Sequence, residues 1–251
     1  MDIFFTYNLA VWEWVAVILS GICIGLSKTW LNGVVTVMIP ILARIFGAKE
    51  STGVLLPLLC FADLLAVIYY RRSGAWKYIL RLLPWALAGF ALALAVDRIV
   101  PAKGFKFLIG LCILAGLGIM FWNDRRGKDK AIPSGWWFSA IFGILGGFST
   151  MIGNAAGPIM SVFLLSVRLP KTSFVGTAAW FFMIVNYLKI PLQYFAWHNI
   201  TMKTLLFDVT IAPFVIIGAV AGIFLVKRVS ESKYRLMVYV MTIISASLLF
   251  I

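Results

Sequence analysis

Charge is scarce in this chain, and negative charge scarcest. Charged residues make up 12% of the 251 positions, with nine Asp and Glu against 22 Lys and Arg. There is one histidine, His198, and there are three cysteines, Cys23, Cys60 and Cys112. Each cysteine stands alone in an apolar stretch without CxxC spacing, so disulfide, redox and zinc roles find no footing. An integral-membrane enzyme would need a nucleophile with its base, or a metal cluster, and these residues supply neither. We therefore expect no enzyme, no cofactor and no metal site. The first residues, MDIFF, lack a basic n-region and a small-residue cleavage site, so no removable signal peptide is expected.

What the chain has instead is apolar surface. Hydrophobic residues account for 63% of it, and the mean hydropathy is +1.01. Continuous apolar runs of about twenty residues recur throughout, the length a helix needs to cross a hydrocarbon core roughly 30 Å thick. A membrane barrel would show short segments of alternating polarity, which are missing. The expected fold class is an all-α polytopic membrane protein. The net charge of +13 would point to nucleic acid in a soluble chain, but here Lys and Arg sit in short loops, where they mark a cytoplasmic face. Nucleic acid is excluded as a partner; the lipid bilayer is implied.

Apolar segments cover 8–46, 52–70, 78–97, 104–122, 136–167, 173–195, 204–226 and 234–251. The first and fifth are too long for one helix, and each contains a polar, glycine-bearing break: GLSKTWLNG at 25–33 and GGFSTMIGNAAG at 146–157. A shift of 122 positions places Gly25 on Gly147, Ser27 on Ser149, Asn32 on Asn154 and Met38 on Met160. With one inserted residue, Gly53 meets Gly176 and Asp63 meets Asn186. An internal duplication accounts for this order. The expected division is a first repeat over 1–125, a basic cytoplasmic linker over 126–134 and a second repeat over 135–251.

Loop charge bears on topology. If the first and fifth segments each cross once, Lys and Arg divide almost evenly between the two faces. If each is a hairpin returning to its own side, the basic stretches 71–81, 123–130, 168–171 and 227–235 gather on one face, as the positive-inside rule requires. The expectation is two inverted-topology repeats, each a broken or re-entrant helical hairpin plus three transmembrane helices, with both termini external. The arms flanking the second break are expected to be about 14 and 13 residues long, near 20 Å each, and so only half-spanning.

Backbone that leaves a helix inside lipid must be buried in protein or line a polar cavity. Two breaks entering from opposite faces would meet where inverted-repeat transporters bind substrate. Asn32 and Asn154 are good N-cap residues for the outgoing arms, and Gly33, Gly157 and Pro158 suit a helix start, which would aim backbone N–H groups at an anion. Lys28 faces that anion, pairs with Asp63 or snorkels along the hairpin. Thr29, Ser149 and Thr150 contact substrate or satisfy broken-helix carbonyls. Asp63 is the proton-coupling candidate, Asn186 its counterpart, and Lys189, three residues from Asn186, a second cation on the same face. Trp180 is a candidate for lining the path. Asp208 and Glu13 are read as solvated or paired near the interface.

These stretches resemble the TauE/SafE family of membrane permeases, the sulfite exporter family. The matches are GGFSTMIGNAAGPIMSVFLLSVRLPK and FVGTAAWFFMIVNYLKIPL in the second half, with GLSKTWLNG, ESTGVLLPLLCFADLLAV and LLPWALAG in the first. The resemblance implies a secondary transporter in a bacterial cytoplasmic membrane, moving a small sulfur-containing anion such as sulfite or an organosulfonate by alternating access. The alternative is an anion channel, or an uptake carrier for another small oxyanion or carboxylate. Its partners would be the anion, lipid and, through Asp63, protons. One departure is Trp30 after SKT, where such proteins often carry glycine; a bulky ring there is expected to narrow the site.

Overall fold

The computed structural model describes residues 7–47, 50–96 and 135–248. The apolar span at 104–122, the linker at 126–134, Cys112 and the two repeat boundaries fall outside them. Among the described residues the chain is helical, without strands. The helices are α1 (Val11–Thr29), α2 (Ile39–Phe46), α3 (Glu50–Tyr70), α4 (Trp76–Val96), α5 (Trp136–Gly153), α6 (Gly157–Ser166), α7 (Lys171–Leu192), α8 (Met202–Arg228) and α9 (Glu231–Ser247). A 3-10 turn, Val34–Val37, precedes α2, and a π turn, Gln193–Trp197, extends α7. Six helices, α1, α3, α4, α5, α7 with its π turn, and α8, are long and apolar enough to cross a membrane. The chain is a multi-pass membrane protein.

Glycine sets the tightest packing. α1 runs along α8, and α4 along α5. A Cβ at Gly25 would overlap the Val215 carbonyl, and one at Gly218 the Ile22 carbonyl, so α1 and α8 touch backbone to backbone. In the other pair Gly147 lies on the Ala86 carbonyl and Gly89 on the Ile144 carbonyl. Small residues allow this approach where lipid offers no hydrophobic drive between helices. The same set of contacts thus occurs twice, once between the chain's first helix and a late one, once between an early helix and α5.

Cross-contacts fix the directions. α3 and α7 are antiparallel: Gly53 abuts Asn199, the Asp63 carboxylate meets Asn186, and Gly176 abuts Ser73. The start of α3 therefore lies beside the connection leading into α8. Trp14 near the start of α1 packs on Phe207 near the start of α8, 5.7 Å between ring centres, so α1 and α3 begin at one end of the bundle and the segment between them returns there. Trp85 stacks on Trp136 at 6.0 Å, and the Ala75 N–H donates to Thr177 Oγ1 at 2.9 Å. Hence α5 and α7 both begin at the opposite end.

The arms differ from the expected halves. α5 has 18 residues, about 27 Å, and α6 ten, about 15 Å. Gly146, Gly147, Ser149 and Thr150 stay helical, Gly147 lying against Ala86 of α4, and the break comes only at Asn154–Ala156. The first segment is similarly uneven, 19 residues in α1 and eight in α2. Large side chains exposed along α8 and α1, including Val209, Ile217, Phe224, Val11 and Trp12, form the lipid-facing surface.

Candidate functional site

The two breaks touch. A Cβ on Gly157 would sit 3.1 Å from the Gly33 nitrogen. Around this contact is a small cavity lined by Ser27, Lys28, Asn32, Val35, Leu59, Thr150, Asn154, Gly157, Phe182 and Asn186. Its volume is about 20 Å³, room for roughly one water. An oxyanion could enter only if the lining separates.

Each break must find partners for the carbonyls at the end of its incoming helix. At the first, Tyr70 donates its hydroxyl to the Thr29 carbonyl at 3.0 Å, Tyr234 donates to the Trp30 carbonyl at 2.8 Å, and Ser245 donates to the Gly33 carbonyl at 3.1 Å. At the second, the Lys189 ammonium donates to the Thr150 carbonyl at 2.8 Å, Thr150 Oγ1 at 3.1 Å and Asn154 Oδ1 at 2.5 Å. A basic side chain at a helix C-terminus also opposes the negative end of the dipole.

Lys28 is situated differently. Its Nζ lies 2.8 Å from Asp63 Oδ1 and 4.3 Å from the centre of the Phe182 ring, and it forms part of the cavity wall. Asp63 is fully buried, and its other oxygen accepts from Asn186 Nδ2 at 2.6 Å. Asp63 and Asn186, which the expected duplication would equate, are thus bonded to each other. Asn32 lines the same cavity, 5% exposed, and its amide nitrogen has no hydrogen-bond partner among the described residues. Gly157 opens the first turn of α6 at the cavity wall, its N–H without an intrahelical partner, and Pro158 after it carries no N–H.

Several expected roles change. Asn154 is not an N-cap: it ends α5 in the left-handed conformation, φ 53°, which Asn tolerates. Ala156 is the residue before α6. Asn32 is not an N-cap either, since Gly33, at φ 98°, precedes the 3-10 turn. Lys189 does not line the cavity, because its donors are taken up by the second break. Thr29 donates to the Gly25 and Ala219 carbonyls at 3.0 and 2.9 Å, binding α1 to α8 rather than facing the cavity. Ser149 is buried outside the lining, with no partner for its hydroxyl among the described residues. Trp180 donates to the Arg71 carbonyl at 3.3 Å and packs on Trp76 near the bundle's end, away from the cavity. Trp30 caps α1 and packs into the large apolar cluster, so it does not narrow the site.

The sequence reading missed Ser27, Phe182, Tyr70 and Tyr234. Phe182 had a signal available, lying one turn from Asn186 on the same helix face. The tyrosines had none, since their partners are remote carbonyls. Among the described residues no three His, Cys, Asp or Glu side chains gather as a metal site.

A family model described as sulfite exporter TauE/SafE matches residues 17–249. No curated protein and no solved structure gives a match.

Proposed function

The chain belongs to the TauE/SafE sulfite exporter family, transporters and not enzymes, and from that premise we propose a secondary carrier that moves a small sulfur-containing anion by alternating access. Sulfite or an organosulfonate is the substrate class. The single observation that carries this reading is the meeting, in one buried cavity, of the Lys28 ammonium, the unpartnered Asn32 amide nitrogen and the first turn of α6. Each is a donor or a positive pole, as an anion requires.

In the reading offered here Lys28 changes partners. With the site closed it holds Asp63; an arriving anion takes Asp63's place beside the ammonium. Asp63 then accepts a proton or leans further on Asn186, which gives a route to proton coupling. Thr150, Asn154 and Asn186 complete the wall. Lys189 fixes Asn154 and the end of α5, while Thr29 and Gly33 keep the helices and breaks in register. The antiparallel α3 and α7, the twice-occurring glycine contacts and the return of each broken segment to its starting end support an inverted repeat. Arg71, Arg72, Lys77, Lys171, Lys227 and Arg228 share one end of the bundle, which supports assigning that end to the cytoplasm of a bacterial inner membrane, with the termini outside.

Flux in proteoliposomes tests this. Labelled sulfite should enter saturably and show counterflow, and Lys28→Met should abolish both. Currents without exchange would favour a channel, and unchanged flux in Lys28→Met would remove this lysine from the mechanism.

A further inference from the structure

Asp208 is not at a solvated surface. It is 6% exposed, on the first turns of α8, and neither of its carboxyl oxygens has a hydrogen-bond or ion-pair partner among the described residues. Its neighbours in sequence, Phe207 and Ile211, belong to an apolar cluster with Val17 of α1 and Leu55, Leu58 and Leu59 of α3. It does not line the anion cavity.

The titratable groups on the elements packed around it make no bond with it. Before α1 stands Tyr7, which packs on Phe207 within electrostatic reach of Asp208 and whose ring is covered by Lys203 at 4.1 Å. On α1, Glu13 accepts from the Ala10 N–H at 2.7 Å and Lys28 holds Asp63; Cys23 makes no bond with Asp208. On α2 and α3, Arg44, Glu50, Cys60 and Asp63 make neither a hydrogen bond nor an ion pair with it. A carboxylate ionised in such surroundings loses its hydration without compensation. The neutral acid carries no such penalty, and an ionisable group within a membrane span is a functional candidate by default.

We propose that Asp208 is a proton-carrying site separate from the anion cavity, protonated in this conformation and deprotonated in one where water reaches the first turns of α8. On release the O–H bond breaks heterolytically, the proton passes to that water and the electron pair stays on the carboxylate. The link to the anion runs through α1. α8 lies against it backbone to backbone at Gly25 and Gly218, and the same helix carries Lys28. An opening that parts α1 and α3 around Lys28 alters the packing over Asp208. This coupling, unlike the protonation, rests on the carrier reading above.

Infrared spectra of the purified full chain at neutral pH test the protonation without reference to transport. The C=O stretching band of a buried neutral carboxyl is expected in the unmodified protein and in Asp63→Asn, and is lost in Asp208→Asn. Asp208→Leu serves as the second variant should the amide fail to fold. A band unchanged by both Asp208 variants overturns the proposal. In proteoliposomes, Asp208→Asn should keep sulfite counterflow within twofold while accumulation driven by a pH gradient falls at least tenfold. Accumulation equal to that of the unmodified protein overturns the coupling. If the unmodified protein moves no sulfite, the carrier reading fails and the infrared band still decides the proton.

Discussion

The two breaks serve one cavity with different chemistry. The first leaves its lysine, Lys28, in the wall and caps its freed carbonyls with neutral hydroxyls from Tyr70, Tyr234 and Ser245. The second uses its lysine, Lys189, as the cap itself. The two cations at the breaks thus differ: Lys28 stands in the cavity wall, while Lys189, on α7, is held by the end of α5. Counting lysines at a site therefore overstates its charge toward a ligand; what matters is which ammonium has donors to spare.

The largest contrast is expected between the two lysines. Lys28→Met should lower sulfite flux by about 100-fold or more, the equivalent of roughly 2.7 kcal/mol, because a charged donor is lost from the ligand's shell. Stability should fall less than buried-charge arguments require if Asp63 takes up a proton, and Asp63→Asn in the same chain should restore it, a coupling that melting curves of the two variants would reveal. Lys189→Met should act mainly on stability. It strands Asn154 Oδ1 and takes one of two donors from the Thr150 carbonyl, which keeps the Asn154 N–H, at about 1–3 kcal/mol together. Equal loss of flux with no loss of stability would erase the distinction.

Glycine sharpens the same comparison at the next level down. Gly25→Ala and Gly147→Ala both drive a methyl into a backbone carbonyl of the facing helix, and each should cost about 1–3 kcal/mol. Gly153→Ala has open space around it, with nothing within 4 Å, and should be neutral or stabilising by about 0.5–1 kcal/mol. Thermal melts in detergent would rank the three. The smallest expected destabilisation is that of Tyr234→Phe, which removes one neutral hydrogen bond to the first break, about 1 kcal/mol. A loss as large as that in Lys189→Met would mean the two caps carry equal weight after all.

Much of the helical layout was legible because periodicity and run length depend on local composition alone. Both breaks were legible as polar, glycine-bearing stretches inside over-long apolar runs, and the pairing of Lys28 with Asp63 was one of the alternatives the sequence left open; the contact of Asp63 with Asn186 was not legible, because a shift that equates two positions does not place them together. Where the reading failed, the deciding contact came from elsewhere in the chain. Nothing around Asn154 announces that Lys189, 35 residues on, will claim its side chain and turn a helix start into a helix end. Thr29 reads as a ligand until α8 presents the Ala219 carbonyl. Asp208 stands near the end of an apolar run, as interfacial acids do, and only the packing of α1 and α3 buries it.

In the proposed carrier, Lys28 is the cation an anion meets. Thermal stabilisation by sulfite of the purified chain and of Lys28→Met/Asp63→Asn measures it most directly, since a ligand bound only to the folded form must stabilise it. Sulfite should raise the melting temperature of the unmodified protein and leave the double variant unmoved. An equal rise in both would contradict the claim.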